Sequence, residues 1–414
     1  MEKKRIGIIG GGISGTCLGY HLSLYDNAEV IVFEKDTIGG ASTAKSAGTV
    51  CLFDDSLRNR YWDVRLYGFE SYLKMEAEEK GSAGFDKTGT LVVATDEKVE
   101  ATIKTGIALA KAAGYTGEYI TDKDRIKEIL PDISTDNILG AGYTQDDGYF
   151  DGTMISNTYA KKMQKNGGVI KTGVKVTEVL KEGNKIKGLK TDDGQDYEFD
   201  YVVDCTGPWS KFTGEMVGMD VPIWHTKAEA FFLCPPGKKL GYTFPVLKYP
   251  AFYALRAGDN IFICKSHLSM DLSNPMHAGQ WDPDKLPATG GTDDYFIDFL
   301  LDQLECRVPG IVDSGLVSSW LSYRAEPKDF LPILGETPVE GYILATGYGG
   351  EGGVEGAAAR REGAKNIFWG EKKTFFKGCS PTPKIKKNIF FFFFFKKNFK
   401  FFFKGDFLYK FYFP

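Results

Sequence analysis

Seven cysteines are scattered over 414 residues without one C-x-x-C pair, and only four histidines accompany them. That distribution fits buried thiols in a reducing compartment better than a disulfide framework or a zinc site. Before residue 371 no apolar run approaches the roughly 18 residues of a membrane-spanning helix. Met1 to Arg5 lead straight into an apolar stretch, leaving no room for the core of a signal peptide. The expected compartment is cytoplasmic, with peripheral attachment to a membrane left open. No internal repeat is present, and no basic stripe offers nucleic acid a track.

What is present is an ordinary globular composition with one anomaly. The chain is 43% apolar and 26% charged with a net charge of −4, enough to bury a large core in two domains or one interleaved one. Of its 31 Phe, 15 fall in residues 371–414, a segment with 11 Lys against only Glu371 and Asp406. The tail thus carries +9 and the body −13. Phe390 to Phe395 run without interruption and no period of 2 or 3.6 is visible. Three readings of the tail stand: a lipid-interface segment, a disordered appendage, or non-native sequence from a frame error. The last is favoured, because T-rich and A-rich homopolymers encode Phe and Lys. In each case the tail is expected to contribute nothing to chemistry.

Along the body, residues 5–9 read as a short buried strand, followed by a glycine cluster, a helix from Ile13 to Tyr25 and a second strand, Val30–Phe33, ending in Glu34. A long helix is expected from Ser56 to about Lys80, a strand over 89–94 and a helix over 96–113. A further helix, Thr153 to Gln164, leads into segments at 167–170, 174–176 and 185–189 that are expected to form a small antiparallel meander. Tyr201–Cys205 and Tyr342–Thr346 are further buried strands. Residues 222–268, rich in β-formers and aromatics, suggest a separate sheet.

The strongest chemical signal is Gly10-Gly-Gly12-Ile-Ser-Gly15, because it lies between a strand and a helix. Gly10 permits the tight turn, Gly12 admits a pyrophosphate to the backbone, and Gly15 lets helix and strand pack closely. The first-turn N–H groups at Ile13 and Ser14 then face the phosphates. Glu34, with Lys35 after it, stands where a ribose hydroxyl pair would bind, and an acid there disfavours a 2′-phosphate. The unit is expected to bind a dinucleotide.

Further marks follow in order: Ser42-Thr-Ala-Lys-Ser-Ala-Gly48, Gly89-Thr-Leu, Asp147-Gly148-x-x-Asp151, Val202-Val-Asp-Cys-Thr-Gly207-Pro-Trp-Ser210, Arg324-x-x-x-x-Asp329-x-x-Pro332-Ile-Leu-Gly335, and Ala345-Thr-Gly347-Tyr-Gly349-Gly350-x-Gly352. With these marks the chain resembles the D-amino-acid-oxidase-like FAD-dependent oxidoreductases, which include glycine oxidase, sarcosine oxidase and D-amino acid dehydrogenase. The resemblance covers nearly all of residues 5–369. It implies an α/β fold with an FAD-binding Rossmann-type domain of three β/β/α layers and a second α+β substrate domain of mixed antiparallel sheet. The implied boundaries are 1–84, 145–215 and 325–370 for the discontinuous FAD domain and 85–144 with 216–324 for the substrate domain.

The resemblance also implies FAD as cofactor, with contacts from Ser42, Thr43, Ala47 and Gly48, from Val176 near the adenine, and from Thr206 and Gly207. Gly347, Gly349, Gly350 and Gly352 would open the last helix beside the flavin pyrimidine, where its dipole would favour negative charge. For the hydroxyls of Ser42 and Thr43, local capping is the competing reading. Arg324 matches the arginine that clamps an α-carboxylate in glycine-oxidase-like members, a geometry suited to a guanidinium; a structural ion pair with Glu326 or Asp329 competes. Here Ala325-Glu326-Pro327 stands where the family often has Arg-Pro. Lys265 resembles the lysine that promotes reaction with oxygen in sarcosine oxidases, against a solvated strand lysine. His225 and His267 read as satisfied polar histidines rather than acid/base groups. Ser322 occupies the position at which sarcosine oxidases attach FAD through cysteine, so non-covalent FAD is expected.

The implied activity is FAD-dependent oxidation of a small amino acid or N-methyl amino acid, of glycine, sarcosine, proline or D-amino acid type. Hydride passes to flavin N5, the imine hydrolyses, and oxygen or another acceptor reoxidises the flavin. Two alternatives remain: a 2-hydroxy acid or glycerol-3-phosphate type dehydrogenase, and a flavoprotein subunit inactive outside a heteromeric complex. Homo-oligomers are equally open, and no metal is expected.

Overall fold

The computed structural model describes residues 3–53, 62–235, 240–265, 278–287, 290–311 and 313–350, with Ser273, Pro275 and Gly353. The Lys/Phe tail, Gly352, His267 and residues 354–370 lie outside the described residues. All described residues belong to one unit spanning 1–383.

Among the described residues, three sheets organise the fold. Strands β1 (Lys4–Ile9), β2 (Ala28–Glu34), β6 (Val169–Thr172), β10 (Tyr201–Asp204), β17 (Ile333–Glu336) and β18 (Tyr342–Thr346) form the first, in the order β17-β18-β10-β1-β2-β6. It is parallel except for β17 at its edge. Helix α1 (Ile13–Leu22) makes the crossover from β1 to β2, and α5 (Gly152–Lys165) precedes β6. Ile6 and Ile8 of β1 are buried with Leu18 and Leu22 of α1, Met163 of α5, Val203 and Ile343. Each such side chain contributes about 1.5–3 kcal/mol on leaving water, and this apolar layer fixes the height of the Gly10 turn above the sheet.

The second, nine-stranded sheet joins distant pieces of chain. It holds β3 (Thr90–Ala94), β4 (Glu118–Ile120), β5 (Gly140–Thr144), β11 (Ile223–Cys234), β12 (Val246–Lys248), β13 (Phe252–Ala257), β14 (Asn260–Lys265), β15 (Ala278–Gly279) and β16 (Gly315–Pro327). All pairs are antiparallel except β12 with β3. Helices α2 (Trp62–Glu78), α3 (Glu97–Ala112), α4 (Lys123–Ile129) and α7 (Asp294–Arg307) pack around it, and short α6 (Ser210–Met216) follows β10. A third sheet is the antiparallel meander of β7 (Val176–Glu182), β8 (Lys185–Thr191) and β9 (Asp196–Glu198).

Two expectations change. The segment at 167–170 does not join the meander: β6 lies parallel to β2, with Ile31 opposite Val169, because α5 returns the chain to the first sheet as a crossover helix does. The separate sheet foreseen over 222–268 extends well beyond that span, taking in β3, β4 and β5 on one side and the 13-residue β16 on the other. Among the described residues no helix is long and apolar enough to cross a membrane.

Candidate active site

One cavity of about 480 Å³ runs between the C-terminal ends of the first sheet and the inner face of the second. The glycine turn after β1 forms its floor. Gly10 has φ +102°, and a Cβ there would stand 2.8 Å from the Cys205 carbonyl oxygen. At Gly12 a Cβ would meet only Thr43 Oγ1, at 3.3 Å, and would otherwise fill the cavity. Bare backbone therefore faces the opening beside the α1 N-terminus, which fits a pyrophosphate. Gly15 does not line the cavity; it packs on the strand side, where a Cβ would lie 1.9 Å from Gly10 O.

Helix α1 has no side-chain cap of its own at Gly12. Thr43, thirty residues on, supplies one: its Oγ1 accepts from the Ile13 N–H at 3.2 Å. Thr43 therefore caps a helix thirty residues away rather than its own loop, and it lines the opening as well. Ser42 donates to the Tyr323 carbonyl at 3.3 Å, tying the same loop to β16. Gly48 has φ +63° and a Cβ there would collide with Phe150 O at 1.7 Å, so only glycine closes this loop.

At the other side of the turn, Glu34 ends β2 with both carboxylate oxygens held by backbone. Oε2 accepts from the Gly11 N–H at 2.7 Å and Oε1 from the Asp36 N–H at 2.9 Å. The carboxylate is thereby aimed along the cavity wall, with lone pairs left to accept from hydroxyls. Lys35 turns to the Asp284 carboxylate and lies over the Trp209 ring, 4.3 Å from its centroid.

Beneath Thr206 lies Asp204, fully buried. Burial pushes its carboxyl up to about 6, against hydrogen bonds from the Thr206 hydroxyl (2.6 Å), the Thr206 N–H (2.9 Å) and the Tyr342 hydroxyl (2.8 Å). These contacts hold the turn at 206–207 under the cavity.

Along β16, Arg324 faces the cavity with its Nη2 4.0 Å from Cys264 Sγ. Its Nε would lie 3.7 Å from a Cβ at Gly350. The turn at 347–350 is glycine by necessity: Gly347 (φ +71°) would meet Pro327 at 2.7 Å and Gly349 (φ +54°) the Glu326 carboxylate at 2.5 Å. Ala47, Val176, Thr206, Gly207, Gly347, Gly349 and Gly350 all line the same cavity, as do Ile13 and Ser14.

Lys265, like Gly15, lies off this wall, and for Lys265 the expected role beside the flavin is corrected. Ala230 of β11 pairs with Cys264, and both face the cavity; side chains alternate along a strand, so Lys265 falls on the opposite face, beside Glu229. Burial lowers its ammonium from the usual lysine value, and the Glu229 charge opposes that shift.

A residue the sequence did not single out, Lys45, also lines the cavity. Lys45 donates to the Leu321 carbonyl at 3.1 Å, filling the edge of β16, and burial lowers its value. His225 accepts at Nδ1 from the Trp281 N–H (2.9 Å), which leaves the proton on Nε2 to be donated to the Pro208 carbonyl at 2.7 Å. Both ring nitrogens are used, so this histidine is a satisfied structural group, as its sequence context suggested.

Behind the loop at 47–52, Asp147 is fully buried and accepts from the Leu52 N–H at 2.8 Å. Burial raises its carboxyl to about 7, with the Thr90 hydroxyl, the Leu52 N–H and the Lys248 charge opposing and Asp146 adding to the rise. A carboxyl whose folded value exceeds its unfolded one stabilises the fold below the unfolded value, near 3.8, and loses that contribution as pH rises toward 7. Asp147→Asn keeps the acceptor and removes the ionisation. Its unfolding free energy, measured from pH 5 to 8, is expected to gain on the wild type as pH rises, by on the order of 2–4 kcal/mol at the alkaline end. Parallel curves would remove Asp147 as the cause.

A family model described as FAD dependent oxidoreductase matches residues 5–360. Mouse mitochondrial dimethylglycine dehydrogenase is 24% identical over 355 residues, covering 83% of this chain and 40% of that protein. The chain spans less than half the length of this and the next curated relatives it matches. Glycine oxidase of Bacillus subtilis (strain 168) is 23% identical over 342 residues, covering 81% of this chain and 85% of that one. Among solved structures, L-proline dehydrogenase from P. horikoshii superposes with a TM-score of 0.77 at 24% identity, covering 92% of this chain and 97% of the other. At that identity the likeness speaks for the fold, a Rossmann-like layer joined to a mixed sheet.

Proposed function

The chain belongs to the FAD dependent oxidoreductase family, and from that premise we propose that it oxidises a carbon–nitrogen bond of a small amino acid or N-methyl amino acid. The observation that carries this reading is Arg324: a guanidinium reaches from β16 into the cavity that the glycine turn and Glu34 shape for a dinucleotide. Bound FAD supplies the two-electron acceptor. The protein's part is to place the substrate: Arg324 takes the carboxylate through parallel hydrogen bonds, and the inner face of the second sheet excludes water from the carbon next to nitrogen. Relatives whose names include glycine, dimethylglycine and 4-methylaminobutanoate support a carboxylate-bearing amine.

In this reading residues 1–84, 145–215 and 325–370 hold the cofactor, and 85–144 with 216–324 shape the substrate side. Ser322, buried on the cavity wall, offers no thiol for attachment, so the flavin is held without a covalent bond and acid precipitation releases it. The test is anaerobic. Purified holoprotein is mixed with glycine, sarcosine, dimethylglycine, L-proline and D-alanine, and loss of flavin absorbance is followed before air is admitted. Bleaching by at least one, with an imine-derived aldehyde, keto acid or cyclic imine as product, is expected. Bleaching only by 2-hydroxy acids or glycerol 3-phosphate would transfer the enzyme to the hydroxyl-oxidising class.

A further inference from the structure

The geometry points to residues 278–287 as a latch closed over the adenosine end of the cavity, with Asp284 as the positioning residue that sets how fast bound FAD leaves. The inference rests on the cofactor reading above and concerns this chain's own residues. The segment comes from the strand-rich side of the molecule, attached to β11 by the two-residue β15, which pairs with His225 and Thr226. It then crosses to the dinucleotide side. Asp284 receives the Trp209 indole N–H on Oδ1 at 2.7 Å, the Lys35 ammonium on the same oxygen, and Lys175 on Oδ2 at 3.4 Å. Lys35 follows Glu34 at the end of β2, Lys175 precedes β7, and Trp209 follows the turn at 206–207, so all three surround the ribose and adenine position. Asp282 and Asp284 themselves line the cavity.

The root of the segment is firm. Trp281 donates its N–H to His225 and stacks on Tyr323, with centroids 5.1 Å apart, and Gln280 donates to the Ile223 carbonyl at 3.0 Å. The tip is held otherwise. Its ion pairs join partners that are 28% to 53% exposed, and contacts of that kind are individually weak and screened by salt. A firm root and a salt-sensitive tip make a flap that opens at Asp284 while Trp281 stays in place.

The experiment follows FAD release from the holoprotein, as recovery of flavin fluorescence after dilution, at about 0.02 and 0.5 M KCl, where the Debye length falls from about 20 to 4 Å. Wild-type release is expected to quicken with salt. Asp284→Asn keeps an acceptor for Trp209 and removes the charge; its release should be about tenfold faster at low salt and nearly independent of salt. Lys35→Met should reproduce both effects from the other side of the cavity, and Lys127→Ala, exposed on α4 and away from the cavity wall, should behave as wild type. Loss of the salt dependence distinguishes a latch from general destabilisation, which would leave the slope in place. Asp284→Asn and Lys35→Met releasing flavin at the wild-type rate and slope would overturn the latch alone. A wild-type protein that takes up no FAD overturns the cofactor reading and the latch with it.

Discussion

Gly15→Ala is expected to yield a protein that retains little flavin and unfolds at lower temperature. The added methyl would stand 1.9 Å from Gly10 O, 3.1 Å from Gly10 C and 3.3 Å from Ile8 Cγ2. Two of these atoms are backbone and cannot rotate away, so α1 must lift from β1. The lift pulls the Ile13 N–H from Thr43 Oγ1 and carries the first turn of α1 off the pyrophosphate position. Overpacking of this kind costs about 1–3 kcal/mol of stability, and displacing the helix terminus removes its anion-binding geometry as well. Flavin content and thermal midpoint, measured together, should both fall. Gly19→Ala in the same helix is the control: its nearest atom is Met163 Sδ at 2.7 Å, the end region of a flexible side chain. That variant should keep its flavin. Equal flavin loss in both would mean that helix packing in general, rather than the height of the Gly10 turn, governs binding.

The same glycines explain why the dinucleotide side was legible in the sequence. A strand, a turn that only glycine can make, a helix and a terminal acid are all local, and each leaves its trace within about thirty residues. The cavity wall beyond them depends on register. Nothing in Ile-Phe-Ile-Cys-Lys says which of two adjacent side chains faces inward; pairing of Cys264 with Ala230 decides it, and Lys265 is turned away by one position. Arg324 faces the cavity, and only the resemblance, not its local sequence, points to that phase.

Asp284 shows a different limit. Asp-Pro-Asp-Lys reads as a turn, and Asp282 does accept from the Asp284 N–H at 3.0 Å, so the local signal is fully accounted for. Its partners Lys35, Lys175 and Trp209 are 249, 109 and 75 positions away. β6 illustrates a related limit: Val-Ile flanked by glycine and a turn suits a meander or a parallel edge equally, and only the crossover of α5 chooses.

Arg324→Leu should leave flavin content and thermal midpoint near wild type while raising the substrate concentration for half-maximal flavin reduction by about 100- to 1,000-fold, the equivalent of roughly 3–4 kcal/mol for an unpaired carboxylate in a confined site. The side chain stands on β16 opposite Thr226, so the strand keeps its pairing when the guanidinium is lost. Arg324→Lys retains the charge and loses the fork, and should recover only part of the affinity. The informative substrate is one without the carboxylate. A simple secondary amine has no group for the guanidinium, so its slow flavin reduction should be the same in wild type and Arg324→Leu, whereas the amino acid's should differ. If both substrates lose equally, Arg324 acts by holding the turn at 347–350, whose Gly350 it approaches, and the carboxylate must be sought elsewhere on the wall. The other cations of the described wall are then the candidates: Lys45, which donates to the Leu321 carbonyl, and Lys35 and Lys175, which pair with Asp284.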